Sequence, residues 1–153
     1  MPARGTREGL VMFLGEFEYK IDEKGRVPVP PKFRRDLREG LVLTPGQDKC
    51  IVGYTVDEWK KLASSLTTGS IAPSKLRKLN RAVFATAFSF YLDGQGRIAL
   101  PQPLRDYAGI KDVVIITGAN TYLELWNKEQ WEAEKKNSQE QAWQIIESLE
   151  RRS

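Results

Sequence analysis

Asp22-Glu23-Lys24-Gly25-Arg26 and Asp93-Gly94-Gln95-Gly96-Arg97 are two copies of one pattern, Asp-x-x-Gly-Arg, 71 residues apart in a chain of 153. Glu16 to Ile21, ahead of the first copy, alternates strictly: Phe17, Tyr19 and Ile21 share one face and Glu16, Glu18 and Lys20 the other, the pattern of a half-buried strand. Phe88, Phe90 and Leu92 hold the matching positions ahead of the second copy. After each copy comes a short β-prone piece closed by proline, Val27 and Val29 before Pro30, then Ile98 and Leu100 before Pro101. A strand, turn, strand unit therefore occurs twice. Asp22 and Asp93 are suited to accept hydrogen bonds from backbone N–H groups two or so residues on, and Gly25 and Gly96 to supply a left-handed conformation that a Cβ would penalise. Each arginine then leaves the turn with its guanidinium facing outward or bridging to the aspartate. One such copy alone would be an ordinary hairpin; its repetition points to a dedicated architecture.

Working outward, Pro31 to Gly40 predicts a short helix with proline at its start, Phe33 and Leu37 at i, i+4 and Gly40 as a stop. Its counterpart is Pro103 to Gly109, with Leu104 and Ala108 as the apolar pair. The first helix carries Lys32, Arg34, Arg35 and Arg38, whereas the second retains only Arg105 and adds Asp106. Two apolar hairpins follow, Leu41 to Tyr54 and Val113 to Trp126, with turns at Gly46 and Gly118, so the offset becomes 72 and one inserted residue separates the halves. Each hairpin leads to a capping box, Thr55 with Glu58 and Asn127 with Gln130, and then to a tryptophan at the same helical position, Trp59 and Trp131.

Between the halves, Thr67 to Ser70 reads as a loop and Pro73 to Ala85 as a helix with Leu76, Leu79 and Val83 on one face and Lys75, Arg77, Lys78 and Arg81 on a basic, ordinarily solvated one. Ser138 to Arg152 predicts an amphipathic helix whose stripe, Ala142, Ile145, Ile146 and Leu149, covers the core or a neighbouring subunit. Residues 1–11 lack periodicity and read as a loose arm, an extension or an upstream start, with solvated Arg4 and Arg7. The expected divisions are 1–11 as extension, 12–66 as the first half, 67–85 as connecting loop and basic helix, 86–137 as the second half and 138–153 as the C-terminal helix.

Composition limits the chemistry. With 41% hydrophobic and 10% aromatic residues the chain can bury a core. No apolar run approaches the roughly 18 residues of a membrane helix, and the N-terminal residues do not lead into a secretory signal, so a cytoplasmic location is expected. The single cysteine, Cys50, has no intrachain partner and is expected as a small buried hydrophobe. Net charge is +4, yet residues 1–81 carry 16 Lys/Arg against 10 Asp/Glu while 82–153 carry 8 against 10, so a polyanion should prefer the first half. The chain has no histidine, no Cys/His metal constellation, no phosphate-binding glycine loop and no GxSxG elbow, which leaves an enzyme only the paired carboxylates Asp22 and Asp93. Both aspartates have a sufficient role in the turns. No catalytic residue, metal or cofactor is expected.

Met12-Phe13-Leu14-Gly15 leading into the first strand, Asp22 to Pro30, Asp93 to Pro101 and Leu123-Glu124-Leu125-Trp126 together make the sequence similar to the MraZ family, each half of which resembles the DNA-binding unit of AbrB/SpoVT-type transition-state regulators. The resemblance runs from Met12 to about Gln144. It implies an α+β fold, a duplicated swapped-hairpin β-barrel formed within one chain and flanked by short helices. It also implies a nucleoid-associated regulator of the bacterial division and cell-wall gene cluster that binds tandem promoter repeats of double-stranded DNA as a closed, octamer-like ring, without a membrane. The family's DNA-facing arginines carry over to Arg26 and Arg97. Residues 1–11 precede the usual family start, and Gln95 stands where the first copy has Lys24, so the second site is less basic.

On this reading Arg26 and Lys24 are the first base readers, Arg97 is a second reader, and Lys32, Arg34 and Arg35 are candidate phosphate neutralisers. A rival of another class is a protein-interaction or assembly module in which the ring and the C-terminal helix, with Trp143, Ile145, Ile146 and Leu149, hold a protein partner.

Overall fold

The computed structural model describes residues 11–152; the proposed arm up to residue 10, with Arg4 and Arg7, lies outside the described residues. The chain runs β1 (Glu16–Lys20), β2 (Arg26–Pro28), α1 (Pro31–Arg34) tightening into a 3-10 turn (Arg35–Leu37), β3 (Leu41–Pro45), β4 (Ile51–Thr55) and α2 (Val56–Thr67). It continues with α3 (Pro73–Leu79) passing into a π turn (Asn80–Phe84), β5 (Phe88–Phe90), β6 (Arg97–Ala99), α4 (Gln102–Ala108), β7 (Val113–Gly118), β8 (Tyr122–Trp126) and α5 (Lys128–Glu150). Local chemistry sets many boundaries. Proline opens α1, α3 and α4, where its missing N–H has no helical partner to lose. Thr55 Oγ1 accepts from Glu58 N at 3.1 Å and Asn127 Oδ1 from Gln130 N at 3.0 Å, capping α2 and α5. Gly109 ends α4 in the left-handed conformation.

Six strands form an antiparallel sheet in the order β1-β7-β8-β4-β3-β5, and β2 pairs with β6 in a separate two-stranded ribbon. The halves are interleaved: β1 of the first pairs with β7 of the second, β5 of the second with β3 of the first, and the ribbon takes one strand from each. This is a mixed α+β fold with swapped strand topology. Exchanging the halves reverses the sheet order onto itself, and the pairs Val27↔Ile98 and Val52↔Glu124 exchange with themselves, so the pseudo-two-fold axis passes through both.

Strand register revises the expected offset. Phe17 faces Ile116 and its equivalent Phe88 faces Leu43, which requires β3 and β7 to lie 73 residues apart and not 72. Leu41 and Leu43 accordingly share the core with Val114 and Ile116. Two residues are inserted ahead of β7 and one is removed from its hairpin turn, so Gly118 is the equivalent of Pro45 and not of Gly46. Matching the turn glycines was misleading because a one-residue slip sends every side chain of a strand to the other face.

The main core lies between ribbon and sheet: Val27, Val29, Ile98 and Leu100 from around the ribbon meet Leu43, Ile51, Val114 and Leu123 of the sheet, closed at the sides by Phe33 and Leu37 and by Leu104 and Ala108. The opposite sheet face has a smaller cluster, Cys50, Val52, Ile115 and Trp126, with Tyr54, Tyr122 and Trp131 against it. Burial there pushes the Cys50 thiol up to about 12. It also raises Glu124, which accepts from Trp126 Nε1 at 3.1 Å.

The helix expected from Ser138 is the distal part of α5, which starts at Lys128 and runs unbroken through residues 137 and 138. Its first turns are tied to β1: Glu16 accepts from Trp131 Nε1 at 3.1 Å and Lys135 Nζ at 2.6 Å, and Lys128 pairs with Glu18 at 3.1 Å. Its apolar stripe does not cover the core of its own chain; Trp143, Ile145, Ile146 and Leu149 are all exposed. Among the described residues no helix is long and apolar enough to cross a membrane.

Candidate functional site

The two Asp-x-x-Gly-Arg turns are built alike, bond for bond. Asp22 Oδ1 accepts from Lys24 N at 2.9 Å and Arg26 N at 2.8 Å, and its Oδ2 accepts from Arg26 Nε at 2.7 Å. Asp93 Oδ1 accepts from Gln95 N at 2.8 Å and Arg97 N at 2.9 Å, and its Oδ2 from Arg97 Nε at 3.0 Å. In each, the glycine N–H donates to the aspartate carbonyl at 2.9 Å, and the glycine takes a φ of +76° at Gly25 and +74° at Gly96. The N–H groups of Arg26 and Arg97, first among these contacts, hold the two carboxyls below the usual aspartate range. Groups kept ionised and occupied by their own turns are poorly suited to shuttle protons, which leaves the paired-carboxylate enzyme without its acid.

Ribbon pairing sets where the arginines point. Arg26 lies opposite Ala99 and Arg97 opposite Pro28, with Val27 opposite Ile98 between them. Val27 and Ile98 are buried, so the alternation of a strand turns Arg26 and Arg97 together to the other, outer face. As diagonal neighbours they have Cα atoms roughly 7–8 Å apart. Their side chains are 34% and 28% exposed. Nε of each is held by its aspartate, and the terminal Nη groups make no hydrogen bond to a described residue. The arrangement is thus two tethered guanidiniums, one from each half, carried on the same face of the ribbon.

Around them, Lys24 and Gln95 are exposed in the turns, and Lys32 and Arg35 are exposed on and after α1 without an ion pair to a described residue. Arg34 differs. It is half-buried, donates from Nε to Val29 O at 2.8 Å, and lies against Gly96, the turn glycine of the other half. Arg105, which is not among the site residues expected from the sequence, lies over Gly25 more loosely, its Nη2 donating to Gln102 Oε1 at 2.8 Å. The signal was present in the sequence, since Arg34 and Arg105 are 71 residues apart and hence equivalent; what the sequence could not show is that each crosses to the other half.

A profile of the family described as "MraZ protein, putative antitoxin-like" matches residues 12–81 and 83–150. A protein of Dehalococcoides mccartyi strain BAV1, named "Transcriptional regulator MraZ", is 62% identical over 140 residues, which is 91% of this chain and 99% of that one. Its namesake in strain 195 is 60% identical with the same coverage. Each matched span contains one Asp-x-x-Gly-Arg turn and one arginine packed over the other half's glycine, and with both halves of the swapped, AbrB/SpoVT-like topology accounted for, the chain belongs to the MraZ family of transcriptional regulators.

Proposed function

We propose that this protein is a sequence-specific double-stranded DNA-binding regulator of the bacterial division and cell-wall gene cluster, acting in the cytoplasm at the nucleoid and engaging tandem promoter repeats as a closed, octamer-like ring. The observation that carries the DNA reading is the common outer face of Arg26 and Arg97 on a two-stranded ribbon. A B-DNA major groove about 12 Å wide admits such a ribbon, and paired N–H groups of a guanidinium match guanine O6 and N7. Lys24 adds charge beside Arg26, while Lys32 and Arg35 supply phosphate contacts that fix register. Arg34, its Nε held by Val29 O, keeps its terminal Nη groups for the phosphate role. The relatives' name as transcriptional regulators supports a regulatory role and not an enzymatic one.

In this reading residues 12–66 and 86–137 are the two halves of a swapped-hairpin barrel, 67–85 is the connecting loop and basic helix, and 138–153 is the C-terminal amphipathic helix. One ribbon presents few base-reading groups, so several subunits on spaced repeats gain affinity through effective concentration. The exposed stripe on α5 favours a contact between subunits, and it also motivates the second reading, an assembly module that holds a protein partner.

A duplex enriched from a random pool by the unsubstituted protein tests the assignment. Arg26→Ala is expected to abolish discrimination between that duplex and its scrambled version, at roughly 1–3 kcal/mol per reading arginine in each engaged subunit, and affinity should fall steeply with salt. Unchanged discrimination in the titration would reject Arg26 as a reader.

A further inference from the structure

We infer that Arg105 and Arg34 are crossed positioning residues, each clamping the base-reading turn of the opposite half. The inference rests on the proposal that Arg26 and Arg97 read DNA, but its geometry is independent of it. A Cβ placed on Gly96 would lie 2.3 Å from Arg34 Nε and 2.5 Å from its Cζ, and one on Gly25 would lie 3.3 Å from Arg105 Nη2 and 3.5 Å from its Cζ. Each guanidinium therefore covers the glycine that immediately precedes a reading arginine. The same two turns receive a second tie from the opposite half, since Gly25 O accepts from Leu100 N and Gly96 O from Val29 N, both at 2.8 Å.

These contacts act on the softest point of the turn. A left-handed glycine is the residue whose backbone torsions change most freely, and a rotation there swings the following arginine. Capping the glycine with a planar group anchored in a helix of the other half removes that freedom. It also ties the two readers to one another, because each turn is set by the half that carries the other reader. Arg34 is fixed by its bond to Val29 O. Arg105 is fixed through Gln102, which in turn donates from Nε2 to Asp106 Oδ1 at 2.6 Å, while Arg105 Nε is buried with no partner among the described residues. An unpaired buried N–H is unfavourable, so it is Nη2 and the packing of the guanidinium, and not Nε, that hold Arg105 in place.

The test uses the full chain with Arg105→Met and Arg34→Met, which keep an unbranched stem and remove the guanidinium, and with Arg105→Lys as a second, charge-retaining variant. Amide hydrogen exchange without DNA reads the clamp directly. Arg105→Met should speed exchange at Lys24, Gly25 and Arg26 and spare Gln95, Gly96 and Arg97, and Arg34→Met should do the converse. With the duplex enriched by the unsubstituted protein, Arg105→Met should lower discrimination against scrambled DNA roughly tenfold and leave the salt slope unchanged. Arg105→Lys, folded and still charged, should loosen the first turn like Arg105→Met. Uniformly faster exchange throughout the chain, or protected turns with a salt slope reduced by about 1, would overturn the inference, the latter marking a phosphate contact. Failure of Arg26→Ala to change discrimination would instead reject the DNA reading and leave the crossed exchange pattern to be judged alone.

Discussion

Gly25 and Gly96 occupy equivalent turns but unequal surroundings. Both have a φ that penalises any Cβ, so alanine at either position costs on the order of 1–3 kcal/mol. At Gly96 the new methyl would also overlap the middle of the Arg34 side chain, whereas at Gly25 the nearest atom is the end of Arg105, at 3.3 Å. Gly96→Ala should therefore lower the urea midpoint more than Gly25→Ala, and Gly94→Ala, which meets nothing within 4 Å, should lower it little. The aspartates beside them give a pH signature. Their folded pKa values are depressed, so their contribution to stability is complete above the ordinary aspartate value near 4 and is lost as pH falls through the lower folded value. Urea midpoints measured from pH 7 downward should hold until about pH 4–5 on this account and then decline, and the double variant Asp22→Asn, Asp93→Asn should show a shallower acid decline.

At the scale of elements, the segment before β1 is held by the β7–β8 hairpin. Phe13 exchanges backbone hydrogen bonds with Asn120 at 2.7 and 3.1 Å, and Gly118 N donates to Gly15 O at 2.8 Å. Phe13 itself is fully buried, its ring edge-on to Phe33 at 5.1 Å. A Cβ on Gly118 would come within 2.3 Å of the Phe13 carbonyl carbon, a backbone atom that cannot step aside alone. Gly118→Ala is expected to detach this segment and to cost about 1.5–3 kcal/mol, the value of burying one such side chain. Faster exchange at Phe13 and Asn120 would accompany a lower urea midpoint; an unchanged midpoint would show that the segment contributes no stability. Gly118 stands where β3 has Pro45, and it lets another backbone approach.

At the scale of the molecule, α5 is tied to β1 at its start, while its distal stripe remains exposed, with Trp143 at 73% and Leu149 at 59%. A stripe of that size on a single helix is a candidate contact between molecules. Under the ring reading, removing residues 138–153 should lower the assembled mass in light scattering and leave the urea midpoint of the β-core close to that of the full chain. An intact assembly after truncation would transfer the stripe to the protein-partner reading.

Much of this protein is local and was legible as such. Alternation of apolar residues, proline at helix starts, the capping residues Thr55 and Asn127, and the Asp-x-x-Gly-Arg turns act over a few residues, and the sequence by itself determined the paired elements and the duplication. Partner choice between strands, the 73-residue equivalence of β3 and β7, the shared face of Arg26 and Arg97 and the crossing of Arg34 and Arg105 depend on contacts between distant residues. Only the tertiary structure decided them, because each half of this fold completes its sheet and braces its turn with the other.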